Sequence, residues 1–183
     1  RAVIEAGMKA GAKQVYLVRE PIVAAIGAGI PIYQSQGHMV IDIGGGTTDV
    51  AVIALGGIVA STSIQTAGNN IDRAISDFLK KKYNLAVGDR TAEKIKVKIG
   101  SAVLLDTQLH ISVKGRDYMT GLPQSIPISS HEITQAIAHE LDEIIRAIKE
   151  VLHMTPPELA SDIIDNGIIM TGGSSQLRGL GEL

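Results

Sequence analysis

The chain has 183 residues, 45% hydrophobic and 20% charged, enough to bury a sizeable core and too apolar for a disordered chain. Its 17 Lys and Arg against 19 Asp and Glu leave a formal charge of −2, so nothing in the balance favours a nucleic-acid backbone, and no nucleic-acid partner is expected. Cysteine is absent, which excludes disulfides, thiol nucleophiles and sulfur-ligated zinc; the 5 His show no HxxxH pairing, and with no Trp and a single Phe there is no base-stacking platform.

In chain order, residues 2–10 read as an amphipathic helix ended by Gly11, and 14–18 as a short apolar strand. The opening residues do not form the apolar run of a signal peptide, and the chain starts and stops in mid-pattern, as part of something longer would. Pro21 suits the first turn of a helix over 22–28, closed by Gly29 and Pro31; the same glycines and prolines interrupt the uncharged stretch 21–41 as a membrane span. Strands follow over 38–43, 48–55 and 58–64, with a two-residue turn expected at Gly56-Gly57, an antiparallel meander. Ile71, Ala74, Ile75, Phe78 and Leu79 fall at helical spacing, with Lys80–82 at the end where a helix dipole favours cations. A helix over 91–102, a strand over 109–113 and a turn at 114–117 come next. Ser129 and Glu132 form a capping box for the longest helix, whose inner face is expected to carry Ile133, Ala136, Ile137, Leu141, Ile144, Ile148 and Leu152. Pro156-Pro157 starts a short helix; 167–171 is the last strand, followed by Gly172-Gly173 and a helical start at Ser174. The fold class is mixed α/β, with 67–129 placed as an insertion between two core-like blocks.

Four constellations could carry chemistry. In Asp42-Ile43-Gly44-Gly45-Gly46-Thr47-Thr48-Asp49, three glycines leave consecutive N–H groups free to cradle phosphate oxygens, and Asp42 at a strand end could hold a divalent cation through water. No Lys stands at Walker spacing; the plain alternative is a glycine-rich hairpin with a capping Asp. Glu20 could orient a water toward a terminal phosphate, or simply complement the helix it precedes. Gly172-Gly173 before a helix could meet a nucleotide edge, or be an ordinary strand–helix turn. Glu93 and Lys96, at i, i+3, could clamp a ribose and a base, or form a solvated pair.

Taken in order, these motifs resemble the rod-shape-determining MreB/Mbl group of bacterial actins, within the actin, Hsp70 and sugar-kinase superfamily. The resemblance runs through Arg19-Glu20-Pro21, Asp42 to Asp49, Arg90-Thr91-Ala92-Glu93, Thr120-Gly121-Leu122-Pro123, Thr155-Pro156-Pro157-Glu158-Leu159 and Thr171-Gly172-Gly173. It implies an actin-like ATPase (ribonuclease H-like) fold, with 1–35 as the tail of a first domain, 36–66 and 130–183 as the core of the second, and 67–129 as its small outer α+β subdomain. It further implies ATP and Mg2+ as cofactors. Asp42 matches the metal-associated acid, Gly44, Gly45, Gly46, Thr47 and Thr48 the phosphate loop, and Glu20 with Thr47 the pair that positions the hydrolytic water. Gly68, Glu93 and Lys96 match ribose and adenine contacts, and Gly172 and Gly173 the adenosine turn. Arg19, Asn69 and Ser174 depart from the group's usual acid, acid and glycine. The implied function is a filament-forming cytoskeletal protein with slow ATP hydrolysis that sets rod shape by organising cell-wall synthesis. It would be cytoplasmic, with filaments on the inner membrane surface through parts outside this chain, and would partner membrane proteins of cell-wall synthesis. The alternatives within the superfamily are a small-molecule kinase, which needs an acidic base beside an acceptor pocket, and a chaperone-type ATPase, which needs a peptide-binding domain.

Overall fold

The computed structural model describes residues 1–183. Helices α1 (Ala2–Lys9) and α2 (Glu20–Gly27) come first, then strands β1 (His38–Ile43), β2 (Thr48–Ala54) and β3 (Gly57–Ile64). Helix α3 (Gly68–Tyr83), β4 (Leu85–Ala86), α4 (Asp89–Ile99), β5 (His110–Asp117) and β6 (Pro123–Ser129) follow, then α5 (Ser130–Met154), α6 (Pro157–Asn166) and β7 (Ile168–Thr171). The strands form two sheets, one ordered β3-β2-β1-β7 and one ordered β4-β5-β6. No helix is long and apolar enough to cross a membrane.

β1 is apolar on both sides because both of its faces are covered. Met39, Ile41 and Ile43 pack with Val50 and Val52 against Ile144, Ala147 and Val151 of α5, while Val40 and Ile53 meet Ala25, Ile30 and Ile32 on and after α2. The second sheet encloses another core, in which Ile71, Ile75 and Leu79 of α3 and Ile95 and Ile99 of α4 surround Val113 and Ile128. Ile133, Ile137 and Leu141 from the first half of α5 complete it. A helix of 25 residues, about 37 Å long at 1.5 Å per residue, thus serves both cores in succession. Its start is fixed by the expected capping box: the Ser129 N–H donates to Glu132 Oε2 at 2.9 Å, and the Glu132 N–H to Ser129 Oγ at 3.4 Å.

Several local expectations shift. Residues 14–18 form no strand, because no neighbouring strand offers a hydrogen-bonding edge, and Tyr16, Leu17 and Val18 stay exposed. The two turn residues are Leu55 and Gly56, both at positive φ, so Gly57 already pairs with Ala54. Residues 114–117 are strand and not turn: Gly115 pairs with Gln124, and its missing side chain lets β4 approach, since a Cβ there would sit 2.6 Å from the Ala86 carbonyl oxygen. β6 carries Pro123 and Pro127, which disguise a strand in the sequence but suit a sheet edge. On α5 the buried face includes Ala147 and Val151, with Ala136, Ile148 and Leu152 only partly covered.

Candidate nucleotide cleft

The glycine run forms the β1–β2 turn, closed by a hydrogen bond from the Gly44 N–H to the Thr47 carbonyl oxygen at 2.9 Å. Helix α3 begins directly behind it. The Gly68 N–H donates to the Gly44 carbonyl at 3.1 Å, and the Asn69 N–H to the Gly45 carbonyl at 2.8 Å. In a trans peptide the C=O and the following N–H point opposite ways. Holding those two carbonyls toward α3 therefore turns the Gly45 and Gly46 N–H groups outward. Both residues are exposed, and neither amide donates to any protein group. The loop thus presents two adjacent donors in the arrangement an anion requires.

The second glycine turn reaches the same place. β7 runs parallel to β1 with Thr171 beside Asp42, which delivers Gly172 onto the end of β1. Gly172 has φ +85°, and a Cβ on it would lie 2.3 Å from the Ile43 carbonyl oxygen and 2.6 Å from Asp42 Oδ1, so only glycine fits. The next residues form a single 3-10 turn, Gly173–Gln176, in place of the expected α-helical start. Ser174 Oγ donates to the Gly44 carbonyl at 2.8 Å, which joins the two turns.

Between α3, α4 and this turn lies a cavity of about 450 Å³, with Ile71, Lys96, Gly173 and Ser174 among its lining residues. Lys96 Nζ donates to the Gly68 carbonyl at 3.1 Å and to Asp72 Oδ2 at 3.0 Å. Glu93 lines a separate shallow cleft with Arg90 and Lys94, and the partner of Lys96 is Asp72, so the solvated Glu93–Lys96 pair is not formed. Gly68 is buried and does not line the cavity; a Cβ on it would meet Ser174 Oγ.

Asp42 pairs with Asp49 across β1 and β2, so both carboxylates leave the same face of the sheet. Directly opposed like charges are unfavourable without a neutralising partner. No group of three acids or histidines close enough to cage a metal occurs. Thr48 is buried, its hydroxyl committed to the Thr66 carbonyl at 2.7 Å, which leaves only its backbone for a ligand. Thr66 in turn donates to Glu143 Oε2 at 2.5 Å, anchoring the strand after the loop to α5. Glu20, exposed at the first turn of α2, shares a cleft of about 250 Å³ with Asp49, Ser61 and Ser63. Thr47, exposed on the loop, does not line that cleft. Asp72 and Ser174 carry no local sequence signal for these contacts, because their partners are 24 and 130 residues away.

The family model for MreB/Mbl proteins matches residues 1–183. The chain belongs to the MreB/Mbl family. It is 49% identical over its whole length to the cell shape-determining protein Mbl of Bacillus subtilis, covering 55% of that protein. Against the cell shape-determining protein MreB of Escherichia coli K12 it is 45% identical and covers 53%. The chain therefore spans about half the length of the curated MreB and Mbl relatives it matches. Its structure superposes on MreB5 of Spiroplasma citri bound to ADP with a TM-score of 0.94 at 43% identity, over 97% of this chain and 54% of that one. MreB5 bound to AMPPNP gives 0.93. A MamK double helical filament, at 22% identity and TM-score 0.78, shares the fold. The fold is the actin-like α/β fold expected of an MreB/Mbl protein.

Proposed function

We propose that the complete protein is an ATP-dependent, filament-forming bacterial actin that determines rod shape by organising cell-wall synthesis at the inner membrane surface. Residues 36–66 and 130–183 serve as its second-domain core, 67–129 as the outer subdomain and 1–35 as the tail of the first. The observation that carries the reading is the convergence of two glycine turns on one cleft, with the Gly45 and Gly46 amides outward and Gly172 pressed against Asp42. Full-length relatives named as cell shape-determining proteins, and MreB5 bound to ADP and AMPPNP, support it.

In this reading the free amides of Gly45 and Gly46 hold phosphate oxygens, with Gly68, Lys96, Gly172 and Gly173 around the nucleoside and Glu93 on the neighbouring cleft. The paired carboxylates of Asp42 and Asp49 offer the oxygen donors a hard cation takes, and Asp42 would hold Mg2+ through water. The cation would supply charge neutralisation to the phosphates. Glu20 accepts a hydrogen bond from the attacking water, and Thr47 helps orient it from the loop. Neither supplies much binding energy, which suits slow hydrolysis that times filament turnover. Sedimentation and negative-stain electron microscopy of the complete protein test the proposal: filaments form with Mg-ATP and are absent without nucleotide. Equal pelleting in both conditions contradicts it.

A further inference from the structure

Lys96 and Asp72 are both mostly enclosed, each side chain 14% exposed, and they bridge α4 to the first turn of α3. A lysine ammonium has three N–H donors. One goes to the Gly68 carbonyl at 3.1 Å and one to Asp72 Oδ2 at 3.0 Å, and the residue lines the cavity between α3, α4 and the Gly173–Gln176 turn. Asp72 Oδ1 sits 2.9 Å from the same nitrogen yet takes no hydrogen bond. With two donors fixed in the wall, the third is free for the cavity. Without the carboxylate, only the Gly68 carbonyl would hold a four-carbon stem with free rotamers in that direction.

Resting on the nucleotide reading above, we propose that Asp72 is a positioning residue for nucleoside recognition: it holds Lys96 so that one N–H meets a ribose hydroxyl. Ionising Asp72 in this enclosed site costs stability. Burial raises the Asp72 pKa; Lys96 lowers it without cancelling that rise, and Glu93 and Asp89 add to it. A carboxyl raised in the folded state is held ionised at a cost to stability that is present at neutral pH and disappears on acidification. Enclosed ion pairs commonly add little to stability.

The test is titration of the complete protein with ATP and with 2′,3′-dideoxy-ATP, for the parent, Asp72→Asn, Lys96→Met and the double variant. Loss of a charge-assisted hydrogen bond weakens ATP binding about tenfold or more in either single variant. Dideoxy-ATP affinity stays within about twofold of the parent's, and the double variant binds ATP no more weakly than Lys96→Met. Equal loss for both nucleotides, or additive losses in the double variant, overturns the inference while leaving nucleotide binding intact. Failure of the parent to bind ATP overturns the nucleotide reading, and this inference with it.

Discussion

Ser174 Oγ lies 2.8 Å from the Gly44 carbonyl oxygen, and the Gly68 N–H reaches the same oxygen at 3.1 Å. One carbonyl therefore ties the β1–β2 turn to both the start of α3 and the turn after β7. Replacing Ser174 by Ala removes one of its two donors, for a loss of about 1 kcal/mol. Urea denaturation should show this small decrease with an unchanged slope.

Gly172→Ala should be far more damaging. The new methyl would overlap the Ile43 carbonyl and Asp42, at a φ of +85° that side chains rarely adopt. Backbone on both sides gives no room to relax, so a loss of about 2–4 kcal/mol is expected. A melting temperature unchanged from the parent would show that the turn can rearrange.

The network at the start of α5 gives a pH prediction. Burial pushes the Glu132 carboxyl up, but hydrogen bonds from Lys82, Tyr83 and Ser129 outweigh it and bring the pKa from 4.5 to about 2. A depressed carboxylate contributes stability above its unfolded pKa and loses it as pH falls. Its contribution is therefore full at neutral pH and disappears between about pH 4.5 and 2. Lys82 is half exposed, so screening reduces the net value of Glu132→Gln to about 1–2 kcal/mol at pH 7. Denaturation at pH 7 and pH 3 should show the difference between parent and variant shrinking at acid pH.

Much of this fold could be read along the chain where the controlling contact is local. The capping box at Ser129, the inner positions of α3 and α5 and the β1–β2–β3 meander depend on residues a few positions apart, and each forms. What escaped depends on distant partners. Residues 14–18 have a strand's composition but no edge to pair with, while β6 has the wrong composition and finds its edge in β5. At the cleft, the glycines announced themselves by clustering. Asp72 did not, because only the packing of α3 on α4 brings it to Lys96.

The hydrolytic proposal separates Glu20 from the binding residues. Glu20→Ala in the complete protein should slow phosphate release at least tenfold while leaving ATP affinity and assembly near the parent's, so that filaments persist longer. Adding Thr47→Ala should cost little more, because two groups acting on one water are not additive. Unchanged phosphate release from Glu20→Ala would leave that acid as a helix-start charge only.

The central claim is that nucleotide occupies the cleft where the two glycine turns meet. A crystal or cryo-electron microscopy structure of the complete protein with AMPPNP and Mg2+ tests it directly. The account predicts phosphate oxygens within hydrogen-bonding distance of the Gly45 and Gly46 amides, the metal beside Asp42, and the nucleoside in the cavity lined by Ile71, Lys96 and Ser174. Nucleotide bound elsewhere, with the Gly45 and Gly46 amides facing solvent, would contradict it.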